Sequence, residues 1–160
     1  YLKNQGMTKL EEIQGHFVIG DLWDTKRTVK PGGGLYSTAD DMRRFYQMML
    51  NRGVWNGTRL LSEKSVLELT RTQTGDAVTG FTAGMSWGLK FQVLKEPQGV
   101  TSMLSPGTFG HGGAYSTQSW ADPVNQTIYI LMIQRRGLQP NGDGSMIRKA
   151  FQQAAFDALQ

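Results

Sequence analysis

The apolar residues of this chain change their period part-way along, and that change limits what the chain can fold into. Between Thr38 and Gly53, Met42, Phe45, Tyr46 and Met49 recur at helical spacing, which predicts a helix with one buried face. From Met85 the period shortens. Met85, Trp87, Leu89, Phe91 and Val93 alternate with Ser86, Gly88, Lys90 and Gln92, as in a strand with one covered side. Ile128–Ile133 is a continuous apolar run, which predicts a strand covered on both faces. Ile147, Phe151, Ala154 and Ala158, with Leu159 beside them, return to helical spacing. Helices, then antiparallel strands, then a closing helix predict an α+β fold, an antiparallel sheet with packed helices.

Local signals place the joints. Thr38 is the N-cap expected for the first helix, with Asp41 completing a capping-box-like pair and Asp40 adding negative charge to the first turn. Gly53 is the expected stop. Ser62 caps a second helix carrying Val66, Leu67 and Leu69 towards 70–74. Shorter strands are expected at 109–114 and 118–121, with Asp122-Pro-Val-Asn125 turning into the apolar run. Asn141-Gly-Asp-Gly144 ends the sheet region. Upstream, Gly6, Gly15 and Gly20 break residues 1–30 into loops, and Pro31-Gly-Gly-Gly34 marks a tight bend. No internal repeat occurs, and 141–144 is too short for a linker, so residues 1–160 read as a single domain.

Composition narrows the function classes. Hydrophobic residues make up 39% and charged residues 19%, an ordinary globular balance. A chain of this length buries roughly 70% of its unfolded surface. The net charge of +4 is spread thinly, in pairs no longer than Arg43-Arg44 and Arg135-Arg136, which argues against nucleic-acid binding. With no cysteine, disulfides, thiolate metal sites and a cysteine nucleophile are excluded. No apolar run reaches membrane-span length, and no signal-peptide pattern opens the sequence. A first residue of Tyr1 rather than Met predicts a processed, truncated or selected start.

Few side chains offer chemistry. Gly32-Gly33-Gly34 lacks the spacing and the Lys-Ser or Lys-Thr pair of a phosphate loop, so it reads as a turn. Asp40-Asp41 suits a helix N-terminus without any metal. His16 and His111 have no second histidine or carboxylate at ligand spacing, so no metal site is expected. Asn125-Gln126-Thr127 fits a glycosylation sequon that often arises by chance. His111 stands apart. It is followed by Gly112 and Gly113 in Gly110-His-Gly-Gly-Ala-Tyr-Ser116, at the end of an expected strand. A lone histidine near a strand is more often structural, but glycine weakens a strand unless something must approach its backbone. That places a titratable ring beside bare N–H groups.

The order of motifs then carries a resemblance. Pro31-Gly-Gly-Gly-Leu-Tyr-Ser-Thr-Ala-Asp-Asp-Met42, Leu60-Leu61-Ser62, Gly84-Met-Ser-Trp-Gly88, Gly110-His-Gly-Gly113 and Trp120-Ala-Asp-Pro123, with Gly6-Met7-Thr8 ahead of them, together resemble one family. It is the C-terminal part of the serine β-lactamase-like hydrolases, which include class C β-lactamases, D-alanyl-D-alanine carboxypeptidases and related esterases. The resemblance implies three active-site elements: a Ser-x-x-Lys nucleophile motif, a Tyr-x-Asn motif and a Lys- or His-small-Gly triad on a strand. His111-Gly112-Gly113 matches the third. It implies that this strand lines the cleft and that the N–H of Ala114 is one of two oxyanion donors, the nucleophilic serine supplying the other.

The first two elements are absent. Ser62 is followed three residues on by Ser65 and Ser145 by Arg148, and Tyr1-Leu-Lys-Asn4 is one residue out of spacing. In the family both lie upstream of the segment like Gly6-Met7, while the closing helix resembles the family's C-terminus. The expectation is therefore a single partial domain over 1–160, inactive alone, cut at its front. Two alternatives remain open: a noncatalytic binding domain derived from the same fold, and a structural fragment with no ligand. Gly112 lacks the hydroxyl that β-lactam-handling members commonly place there, which tilts the expected substrate towards an ester or peptide-like amide. Ser116 or Thr117 is an alternative source of that hydroxyl. The resemblance implies a small-molecule ester, amide or β-lactam substrate, no cofactor, and a periplasmic or secreted setting. A sheet left with an open edge is a possible route to homo-oligomers.

Overall fold

The computed structural model describes residues 25–26, 37–77, 79, 82–135 and 137–159. The chain divides into two compact units, Tyr1–Thr38 and Ala39–Gln160. The expected loops of 1–24, the Pro31–Gly34 bend, the Gly6-Met7 segment and His16 lie outside the described residues. The fold below is that of the second unit, and it is α+β.

Helix α1, Ala39–Leu50, carries Asp40 and Asp41 in its first turn. Asp40 pairs with Arg43 and Arg44 one turn on, and the Arg43 hydrogen bond holds its carboxyl below the usual range. The helix ends as the sequence predicts, at Gly53. The Gly53 N–H donates to Met48 O at 2.8 Å and the Arg52 N–H to Met49 O at 3.0 Å, the paired bonds of a Schellman cap. Arg52 takes the left-handed position itself, with φ 53°, and Gly53 follows at φ 91°. A side chain at Gly53 would strike Leu61 O, 2.2 Å from its Cβ position.

Between the helices lies a hairpin that the helix-then-helix pattern passes over. Strands β1, Val54–Trp55, and β2, Thr58–Arg59, flank Asn56-Gly57, both at positive φ. An Asn-Gly pair with that backbone is the favoured two-residue hairpin turn. Helix α2, Glu63–Thr70, starts at the expected cap: the Ser65 N–H donates to Ser62 Oγ at 3.0 Å. Val66 and Leu69 turn inward and Leu67 outward.

The five-stranded sheet runs β3-β4-β5-β6-β7, every pair antiparallel. Here the alternation from Met85 to Val93 misleads. It covers two strands, β3, Met85–Trp87, and β4, Gln92–Leu94, joined by a tight turn in which the Gly88 N–H donates to Phe91 O at 2.8 Å. Leu89, expected inside, is 52% exposed on that turn. The loop preserves the two-residue period, so the pattern does not register the reversal. Gly88 is required because its Cβ would lie 2.4 Å from Leu69 O.

A short 3-10 helix, Gly99–Thr101, leads to β5, Phe109–Gly112; β6 is Gln118–Asp122 and β7 is Thr127–Leu131. Asp122 makes the expected turn, its carboxylate accepting the Val124, Asn125 and Ser105 N–H groups at 2.9–3.0 Å. The apolar run is covered from both faces, since Ile128 packs with α1 and α2, and Tyr129 with helix α3, Met146–Asp157. Its cover is partial, because β7 is an edge strand among the described residues, and Met132 is 54% exposed.

Register divides the core in two. Val93, Phe109 and Ala121 line up across the sheet beneath Tyr46, Met49 and Val66. Gln92, Gly110, Trp120 and Tyr129 line up on the opposite face, where Trp120 and Tyr129 meet Phe151, Ala155 and Phe156 of α3. The inner face of α3 differs from the expected one. Arg148 and Gln152 are buried, while Ala154 and Ala158 are exposed. Apolar spacing misplaces the helix because its inward side is partly polar.

Tyr46 joins α1 to the sheet. Its hydroxyl donates to Ser119 O at 2.9 Å and lies 3.1 Å from Ser119 Oγ. Burial pushes it from about 10 up to about 12, the Ser119 bond pulling the other way. The fold thus holds the neutral phenol, so its contribution is complete below pH ~10 and drains away as pH rises towards 12, by about 2 kcal/mol at pH ~11.5. Tyr46→Phe is expected to cost about 1 kcal/mol at pH ~8 and to flatten that alkaline loss. Guanidinium denaturation at the two pH values measures both; an equally steep loss in the variant would assign the effect elsewhere.

Candidate active site

Strand β5 is short because its sequence is almost bare. Phe109 anchors it in the core, and Gly110, Gly112 and Gly113 follow with only His111 between. It runs into a tight turn closed by the Gly113 N–H on Thr117 O and the Ser116 N–H on Gly113 O, both 2.8 Å. The predicted residues His111, Gly112, Gly113 and Ala114 come together there, on one side of a cleft of about 470 Å³. The strand ends at Gly112, two residues before the expected Ala114. The opposite wall, which the sequence did not assign, is the segment 137–143, including Leu138, Pro140 and Asn141.

His111 is exposed, its ring centroid 5.3 Å from that of Trp87. Its Nδ1 meets the Gly112 carbonyl. A carbonyl only accepts, so a hydrogen bond here requires the proton on Nδ1. Across the pair, Ser119 Oγ donates to His111 O at 3.3 Å and itself contacts the Tyr46 hydroxyl. The Ala114 N–H has no acceptor among the described residues. Of the neighbouring hydroxyls, Ser116 Oγ donates to Arg135 O at 2.8 Å and Thr117 Oγ1 to Ile133 O at 3.4 Å.

The glycines divide into two kinds. A Cβ on Gly110 would stand 2.2 Å from Ser119 O and 2.8 Å from the Trp120 ring; on Gly112 it would stand 1.6 Å from Asp143 Oδ1. At Gly113 the nearest atom is 3.5 Å away. Of the three, only Gly113 has room for a side chain. The other two make room for the protein's own side chains, a correction to the sequence argument.

Asp143 is the residue that the sequence concealed. Its buried carboxylate accepts from Gln118 Nε2 of β6 at 3.0 Å and from Gln92 Nε2 of β4 at 2.8 Å, straddling β5 between them. Gln118 Oε1 accepts Trp120 Nε1–H at 2.7 Å. Arg148 lies over the Trp120 ring at 3.9 Å and donates to Asp143 O at 2.9 Å. Burial pushes the guanidinium down to about 10, against the pull of the Asp143 charge. An aspartate between two glycines reads as turn chemistry, and the only signal for its burial is the pair of glutamines on neighbouring strands. Among the described residues no group of three His, Asp or Glu is placed to hold a metal ion.

This geometry can be set beside known proteins. A family model described as Beta-lactamase matches residues 3–152. The chain belongs to the beta-lactamase family. Protein Rv1367c of Mycobacterium tuberculosis is 39% identical over 113 residues, covering 64% of this chain and 28% of that protein. A Salmonella newport protein named "Putative D-alanyl-D-alanine carboxypeptidase" is 31% identical over 136 residues, covering 81% of this chain and 30% of that protein. A crystal structure of a penicillin-binding protein homolog from Caulobacter crescentus shares the fold, with TM-score 0.56 and 20% identity over 75% of this chain and 32% of that one. This beta-lactamase-family chain thus spans under a third of the length of the relatives it matches.

The two kinds of glycine are separable by mutation. Gly112→Ala is expected to lose about 2–4 kcal/mol, since the Asp143 carboxylate must move from its amide donors. Gly113→Ala is expected to stay within about 1 kcal/mol. Thermal melts of the two variants decide it, and equal losses would mean that packing explains neither.

Proposed function

We propose that this chain is the C-terminal part, one partial domain over 1–160, of a serine hydrolase of esterase, β-lactamase or peptidase type that works through an acyl-enzyme. The observation that carries the reading is the Ala114 N–H, without an acceptor among the described residues, on a cleft that His111 and Gly113 also line. In such a reaction a serine oxygen attacks the substrate carbonyl, and negative charge gathers on the carbonyl oxygen. Backbone N–H groups aimed at that oxygen stabilise the transition state more than the ground state.

Ala114 supplies one such donor, and Gly113 leaves room for a substrate to lie against the strand. His111, one of the residues that line the cleft, shapes its polarity. The nucleophile, and the lysine and tyrosine that move its protons, belong to sequence outside this chain, which contains no Ser-x-x-Lys. The 160 residues alone are then inactive. The substrate is a small-molecule ester, amide or β-lactam, with esters and peptide-like amides favoured because Ser116 and Thr117 spend their hydroxyls on backbone carbonyls.

Intact mass spectrometry after treatment with a fluorophosphonate serine probe tests this. No adduct is expected on the 160-residue chain, and one adduct is expected on a protein of its relatives' length, at a serine outside these residues. His111→Ala in the longer protein is expected to lower kcat/KM roughly 10- to 100-fold, within the range of single acid–base or electrostatic contacts. A stoichiometric adduct on the short chain would overturn the assignment. A longer protein that takes no probe would favour a noncatalytic binding domain.

A further inference from the structure

We propose that Asp143 makes this cleft select acyl groups that carry no carboxylate; the inference rests on the hydrolase reading and names the substrate class of the same site. Asp143, though buried, is one of the residues that line the cleft, with His111, Gly112, Gly113 and Ala114. Among the described lining residues it is the one Asp or Glu, and there is no Lys or Arg. Each of its oxygens accepts an amide N–H, from Gln92 and from Gln118.

The charge is also fixed in place. The amide donors stand on strands either side of β5, and the Gly112 Cα lies against Oδ1, with no volume for the carboxylate to swing into. Arg148, the nearest partner of opposite charge, is buried behind it, bonded to the Asp143 backbone carbonyl and not part of the lining. A substrate therefore meets the negative end of this pair first. A second carboxylate brought within a few ångströms is expected to be repelled strongly enough for about a tenfold discrimination. A neutral acyl chain escapes that repulsion.

A matched pair of substrates tests the idea: p-nitrophenyl butyrate and mono-p-nitrophenyl succinate, assayed on the protein of its relatives' length. The butyrate ester is expected to be preferred about tenfold in kcat/KM, mainly through KM, with the preference shrinking as salt rises. In Asp143→Asn, and in Asp143→Ser as a second variant should the first fold poorly, the ratio is expected to fall about tenfold. A purely structural role would lower both rates and leave the ratio unchanged, and that outcome overturns the proposal, as does equal use of the two esters by the unaltered protein.

A binding measurement separates this inference from the hydrolase reading. The amide resonances of Gly113 and Ala114, titrated with butanamide and with succinamate, are expected to respond to the first at lower concentration. If neither ester is hydrolysed but that difference holds, the hydrolase reading falls and the role of Asp143 stands. If succinamate binds as well as butanamide, the role of Asp143 falls whatever the activity.

Discussion

A carboxylate taken out of water must be repaid in hydrogen bonds or it unfolds what surrounds it, and in this chain the repayment fixes the site. Asp143 takes its amide donors from β4 and β6, so its oxygens lie across β5, the strand between. An unpaired buried carboxylate costs several kcal/mol. Strand register, loop path and residue choice must therefore agree around it. Gly112 is a glycine because Asp143 Oδ1 occupies the place of its side chain, and Gly110 is one because Trp120 does the same two residues earlier. The loop between β7 and α3 must return over the end of β5 to deliver the carboxylate. That return path is also the second wall of the cleft.

The same constraint explains the polar interior of α3. Arg148 stacks over Trp120 and bonds to the Asp143 carbonyl, and Gln152 accepts from Arg148 Nε at 3.1 Å. Trp120 in turn donates to Gln118, which holds the carboxylate. Loop, sheet and helix are thus tied by one chain of hydrogen bonds, beside apolar packing from Phe151 and Phe156. Networks of this kind add little net stability, because desolvation offsets their bonds, but they penalise every arrangement that leaves a member unpaired.

Much of the fold is visible in the sequence where one rule acts alone. The Ser62 cap, the stop at Gly53, the Asp122 turn and the existence of β5, β6 and β7 each follow from local chemistry. Failures occur where two rules overlap. The turn at Gly88–Phe91 keeps the two-residue period, so two strands look like one. The inner side of α3 holds Arg148 and Gln152, which a search for apolar spacing assigns to solvent. Of the site, His111 to Ala114 stand out because glycines beside a histidine are locally anomalous. Asp143 does not, since its burial depends on glutamines 51 and 25 residues away in sequence. The reason for the glycines was also hidden: Trp120 and Asp143 fill the places of side chains at Gly110 and Gly112, whereas a Cβ at Gly113 would meet Thr117 at an ordinary 3.5 Å.

The turn that carries the Ala114 N–H is set from within this part of the fold. The Ala114 N–H is aimed by a turn whose bonds are Gly113 to Thr117 and Ser116 to Gly113, and whose far side is fixed by Ser116 Oγ on Arg135 O and the Arg135 N–H on Tyr115 O at 2.9 Å. Beneath it, Tyr46 holds Ser119, the cross-strand partner of His111. Every one of these groups lies between Ala39 and Leu159. Donors held by a rigid scaffold act on a developing charge without having to reorganise first. On the proposed hydrolase reading, that donor is therefore set by groups within this portion of the fold.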